Sequence, residues 1–149
     1  MLRAFYISAI VLTFFSMIIS AYFMDEVSSC RSASYYSYGD SYGSEDNFEY
    51  YHDKAQEATV SAGIITLIYF LIMETIFILS LIRLKTKTIK VFSIIGISLT
   101  SIMILWDALM ISSPGGISFD EIGLAWVLFM LIMFAFSIVG TVHAFRKKV

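Results

Sequence analysis

Residues 58–82 read ATVSAGIITLIYFLIMETIFILSLI, bounded by Glu57 and Arg83, with Glu74 as their one charge. A bilayer's hydrocarbon core is about 30 Å thick and takes about 20 apolar residues of helix to cross. The stretch meets that length and predicts a transmembrane helix. Three others do so too. Residues 4–24 lie uncharged between Arg3 and Asp25, residues 91–113 carry one charge, Asp107, and residues 122–145 carry none. Hydrophobic residues make up 58% of the 149, with mean hydropathy +0.81, above the roughly 45–50% apolar content of soluble domains. The expected class is an all-α integral membrane protein, a single four-helix transmembrane bundle. The first apolar stretch is longer than the about 7–15 residues of a secretory signal core, so it is expected to stay as a helix.

Charge sets the expected orientation. Arg3, Arg83, Lys85, Lys87, Lys90, Arg146, Lys147 and Lys148 fall at the two ends of the chain or in the 83–90 loop, segments that hold no Asp or Glu. The opposite side has Arg31 and Lys54 as its bases, against ten acids. Lys and Arg remain on the cytoplasmic side, so both termini are expected inside, in the cytoplasmic or plasma membrane. The basic residues would meet lipid headgroups there, but orientation alone accounts for them.

Residues 25–57 form the one sizeable outer segment, an extended acidic loop. Its eight acids and two bases give a net charge of −6. Residues 28–44 are rich in Ser, Tyr and Gly, and Gly39 and Gly43 read as turns. From Asp46 the pattern turns helical. Asp46 reads as an N-cap with Glu49 as its capping-box partner, and Phe48, Tyr51, Ala55 and Ala58 follow at helical spacing. The second helix is therefore expected to continue two or three turns beyond the bilayer. At the other outer loop, residues 114–116 (PGG) end helix three. Ser118 with Glu121, and Ile117 with Ile122, read as the cap and hydrophobic staple of helix four.

Lipid is as apolar as leucine, so membrane helices meet through small and polar residues. Helix one carries Ala9, Thr13, Ser16 and Ser20 on one stripe, and helix two carries Thr59, Ala62, Thr66, Tyr69 and Ser80. Helix three carries Ser93, Gly96, Thr100, Met103 and Asp107. Helix four carries Gly123, Trp126, Met130, Met133, Ser137, Gly140 and Ala144. The alternating intervals of three and four are those of a left-handed bundle. Gly96, Thr100, Ser137 and Gly140 are expected to be central to this packing.

Two carboxylates lie at membrane depth, where a charge at the helix centre costs roughly 2.5–3.5 kcal/mol on insertion scales. Asp107 shares its stripe with small residues and is expected to face the interior. Glu74 follows a stripe residue, Met73, by about 100° of rotation. It therefore reads as facing outward, toward a partner in another chain. Counted from the basic end, Glu74 lies about 12 Å deep and Asp107 about 24 Å. That gap excludes a shared-proton pair but suits two stations of a proton or cation path. The bland alternative makes both neutral acids hydrogen-bonded to neighbouring helices.

The remaining chemistry is sparse. Cys30 is the one cysteine, which excludes an internal disulfide and a paired-thiol oxidoreductase. His52 and His143 fall at opposite ends, so neither a haem nor a His-based metal site is expected. Asp40, Glu45 and Asp46 do not match a calcium-binding loop. No cofactor, no nucleic acid and no catalytic constellation are expected, so the chain is not read as an enzyme. Tyr35, Tyr36, Tyr38, Tyr42, Tyr50 and Tyr51 form a candidate docking surface, since Tyr gives large contact area at low entropy cost. An aromatic belt lying on the headgroups is the plainer alternative. The expected function is a small non-catalytic accessory or assembly subunit of a larger membrane complex, associating with other subunits or with itself. The alternative is a small oligomeric ion- or proton-coupled transporter or channel using Glu74 and Asp107.

Overall fold

The computed structural model describes residues 2–39, 45–83, 87–113 and 119–146. Side chains are described for these apart from residues 2, 3, 5, 35–39, 45–46, 119–125, 144 and 146. Four helices follow one another: α1 (Leu2–Gly39), α2 (Glu45–Arg83), α3 (Lys87–Ser112) and α4 (Phe119–Arg146). Each holds a stretch long and apolar enough to cross a membrane. At a rise of 1.5 Å per residue, α1 and α2 are about 57–58 Å long and α3 and α4 about 39–42 Å. The first pair therefore outruns a bilayer core by about 27 Å, at the acidic end of the bundle.

α1 packs against α2 and α4, α2 packs against α3, and the α3–α4 side is the thinnest. Contacts fix the register. Tyr6 meets Ser80 and Thr13 meets Tyr69, so α1 and α2 are antiparallel. Glu74 meets Ser101, and Gly96 lies under Phe77, so α2 and α3 are antiparallel too. Aromatic rings span the interior toward α4. Phe70 meets Trp126 and Phe129 edge-on, and Phe77 and Phe92 both meet Phe136.

The buried positions run along narrow stripes. Ala9, Thr13, Ser16 and Ser20 are buried on α1, and Ser93, Gly96, Thr100, Met103, Asp107 and Met110 on α3. On α4 they are Trp126, Met130, Met133, Ser137 and Gly140. Small residues let the backbones close. A Cβ on Gly96 would stand 2.8 Å from three atoms of the Phe77 ring, and one on Gly140 would stand 2.7 Å from Tyr6 Cζ. The buried arc of α2 is wider than its small-residue stripe, because α2 has neighbours on two sides. Phe70 and Phe77, on the flank of Glu74, are 0% and 3% exposed.

Two expectations need correction. The outer loop does not begin at residue 25, after a helix over 4–24: α1 continues to Gly39. Its extension is helical because it still has a surface to bury. Val27, Cys30 and Ser34 are buried, as are Ala55, Ala58 and Thr59 on α2, and Val27, Ala58, Ala62 and Met110 form one cluster. The α2 helix is already under way at Asp46, so that residue is not an N-cap. Asp40, Tyr42, Gly43, the 114–116 turn and the Ser118 cap with its Ile117 staple lie outside the described residues.

Candidate functional site

The interior of an apolar bundle is a poor place for hydroxyls unless each proton has an acceptor. Most here are spent on their own helix. Thr13, Ser20, Thr59, Ser80 and Ser137 each donate to the carbonyl four residues back, at 2.6–2.9 Å. This leaves their lone pairs open to other helices. Tyr69 uses Thr13 in that way, at 2.9 Å, and Tyr6 uses Ser80, at 2.7 Å. Two buried tyrosines thus fasten α1 to α2 at two depths, eleven residues of α2 apart.

Glu74 has a partner inside its own chain. Ser101 Oγ donates to Glu74 Oε1 at 2.7 Å. Glu74 is half-buried at the α2–α3 seam, which corrects the reading that it faces outward and finds its partner only in another chain. The reason is the two-sided packing of α2. Side chains also lean toward the N-terminus of their own helix. On antiparallel neighbours Glu74 and Ser101 therefore lean toward each other, a pairing that helix rotation alone does not reveal. The outer side of α3 around this pair carries Ser98, Ala108 and Ser112, all exposed.

Asp107 is 0% exposed, in the middle of the α3 stripe. Neither of its carboxyl oxygens receives a hydrogen bond among the described residues, and Trp106 Nε1 is likewise buried without one. Thr66 on α2 is also buried, and its hydroxyl donates to Ala62 O and Gly63 O, at 3.0 and 3.1 Å. Glu74 and Asp107 do not meet. Ser101, the partner of Glu74, is six residues or about 9 Å from Asp107 along α3.

At the basic end a pocket of about 30 Å³ opens among Tyr6, Phe77, Ser93, Phe136, Gly140 and His143. That is room for about two waters, and it places His143 inside the bundle's mouth. At the acidic end His52 stacks on Phe48 and pairs with Gln56 at 2.9 Å. Tyr50 is exposed and packs edge-on against Tyr51. Tyr35, Tyr36 and Tyr38 fall in the last turns of α1, with their side chains undescribed. Among the described residues no three His, Cys, Asp or Glu side chains come together as metal ligands do.

Ser101, Thr66, Tyr6 and the Thr13–Tyr69 pair were not singled out as functional by sequence. For Ser101 the available signal was its place at i+3 from Ser98 on a second small-residue stripe of α3. For Tyr6 it was a lone hydroxyl-bearing ring at the basic end of an otherwise aliphatic helix. No protein-family model, curated protein or solved structure matches this chain.

Proposed function

We propose that this chain is a small, non-catalytic membrane subunit, with both termini cytoplasmic, that assembles with another membrane protein through the outer face of α2 and α3. The observation that carries this reading is the Glu74–Ser101 pair at the bundle's edge. One carboxylate oxygen is held by Ser101, and the half-exposed group is left beside a second stripe, in which four small residues alternate with Ile94 and Leu105. Ile94, Ser98, Ser101, Leu105, Ala108 and Ser112 recur at intervals of four, three, four, three and four, roughly 140° around α3 from its buried stripe. The hydroxyls of Ser98 and Ser112 turn into carbonyls of α3 itself, so the small positions of the stripe are not wet, which suits close helix–helix approach there. The outward face of α4 is different: Val127, Leu128, Leu131, Ile132, Ile138, Val139 and Val142 are all apolar and exposed, as suits lipid.

Native purification from the source membrane tests the proposal. A stoichiometric partner should co-purify with the parent chain. Ala108→Leu and Glu74→Leu should lose it, while Leu131→Phe on α4 keeps it. A pure homo-oligomer, or partner binding that ignores both α3-side changes, would reject it. A second reading, an ion- or proton-coupled transporter, is favoured by one observation, the interior carboxyl of Asp107, which has no hydrogen bond among the described residues. Under that reading Glu74→Gln and Asp107→Asn should abolish transport by reconstituted protein while assembly survives.

A further inference from the structure

The pocket at the basic end holds a hydroxyl that the bundle itself does not use. Ser93 is 1% exposed and lines that pocket. Most buried Ser and Thr donate to a carbonyl of their own helix. Ser16 and Ser93 make no side-chain hydrogen bond among the described residues, and Ser93 is the one of the two that lines this pocket. A buried hydroxyl without a partner costs free energy, so Ser93 points to an occupant that supplies an acceptor.

The pocket lies mostly between α3 and α4, the thinnest side of the bundle. There the wall is made of side chains: the Phe92 and Phe136 rings meet edge-on with centroids 5.4 Å apart. The deeper lining is apolar, from Phe77, Phe92, Phe136 and Val139. Toward the chain ends it turns polar, with Thr88 exposed and His143 half-buried. Thr88 and Ser93 are five residues, or about 7.5 Å, apart along α3. By register, Arg3 is one turn beyond Tyr6 on α1, and Arg146 is one turn beyond His143 on α4. The segments at this end hold no Asp or Glu. Orientation in the membrane accounts for the bases, but not for an apolar pocket beneath them that carries an unspent hydroxyl. The ligand that matches has an anionic head, an oxygen-bearing linkage and an apolar tail, in that order. A free phosphate would have to leave water for a site walled by phenylalanines.

We propose that this mouth is a binding site for an anionic phospholipid of the surrounding leaflet. The phosphate lies at the rim, with the Thr88 hydroxyl and a His143 N–H as donors, and Arg3 and Arg146 set the sign of the headgroup. The linkage to the fatty chains accepts from Ser93. One chain runs out between α3 and α4 past Phe92, Phe136 and Val139. The site is about 170° around α3 from the stripe of Ile94 to Ser112, so the lipid is held whether or not the chain is an assembly subunit.

Native mass spectrometry of the purified chain tests it, by titration in detergent with phosphatidylglycerol, with phosphatidylcholine of the same chains and with inorganic phosphate. One phosphatidylglycerol should bind per chain, at least about five-fold tighter than phosphatidylcholine, the worth of one base near a headgroup. Arg3→Gln and Arg146→Gln should each remove about that factor for phosphatidylglycerol and leave phosphatidylcholine unchanged. Lys87→Gln, at the same end but about 100–160° around α3 from the pocket residues, should change neither. Ser93→Ala should weaken both lipids about three-fold, the worth of one hydrogen bond inside a membrane. Val139→Trp should weaken both as well, and Val139 is exposed, so the larger ring does not disturb the core. Equal affinity for the two lipids overturns the proposal. So does an effect of Lys87→Gln equal to that of Arg146→Gln, which would mean diffuse attraction by the whole basic end. Lipid binding indifferent to both Ser93→Ala and Val139→Trp would leave only water in the pocket, and displacement of phosphatidylglycerol by an equal concentration of inorganic phosphate would make it a free-anion site; either result also overturns it.

Discussion

Gly140→Ala is the sharpest test of how the bundle is packed. The new methyl would stand 2.6 Å from Tyr6 Cδ1 and 2.7 Å from Cζ, where ordinary contact begins at 3.4 Å. Tyr6 Cε1 would be met closer still, so the ring must retreat by more than about 0.8 Å. It is poorly placed to do so, being 3% exposed and tied through its hydroxyl to Ser80 at 2.7 Å. Overpacking of this kind costs about 1–3 kcal/mol, and an interhelical hydrogen bond in a membrane protein about 0.6, at most about 1.7 kcal/mol. The gain in helix propensity from Gly to Ala returns about 1 kcal/mol. The net expectation is a loss of about 1–3 kcal/mol. Gly96→Ala meets the unanchored Phe77 ring at 2.8 Å and should cost about 0–2 kcal/mol. Gly63→Ala meets Ile111 Cγ1 at 3.0 Å, on a half-buried side chain that can turn. It should be neutral or stabilising by up to about 1 kcal/mol. Unfolding in mixed micelles titrated with a denaturing detergent gives the three values, and repeating Gly140→Ala in a Tyr6→Leu background isolates the clash. The cost should then fall by at least about 0.5 kcal/mol, the lower bound for residues in contact. If it is unchanged, or if Gly63→Ala is the most damaging of the three, the packing argument is wrong.

Further outcomes follow from the same structure. A double-mutant cycle of Thr13→Val and Tyr69→Phe should return a coupling of about 0.6 kcal/mol, since the two hydroxyls bond across α1 and α2; additive losses would mean they do not. Ser32→Pro, at an exposed position within the α1 extension, should cost about 3 kcal/mol locally. It should open that segment to protease, whereas an extension that was already irregular would be cut equally in the parent. For the proposed topology, with Cys30 replaced by Ser, a cysteine introduced at Tyr42 should label from outside sealed cells and one at Lys85 should not. Labelling at Lys85 would reverse the orientation.

The sequence by itself determined that four helices form and which stripe of each is buried. Both follow from local properties: twenty-odd apolar residues in a row, and small or polar residues recurring every three or four. Ala9, Thr13 and Ser16 on α1, or Ser93, Gly96, Thr100 and Asp107 on α3, could be read without knowing what they touch. The candidate site was legible only as two isolated carboxylates. That Glu74 has a partner depended on α2 having neighbours on two sides, so that its buried arc spreads past its small-residue stripe to Phe70 and Phe77. It also depended on antiparallel side chains leaning toward one another across the α2–α3 seam. The length of α1 beyond residue 24 was hidden because the stretch is acidic and then rich in Ser, Tyr and Gly, and only the cover offered by Ala55, Ala58 and Thr59 makes a helix the better solution there. That Asp107 is 0% exposed, with neither carboxyl oxygen hydrogen-bonded among the described residues, was decided by how the helices pack around it.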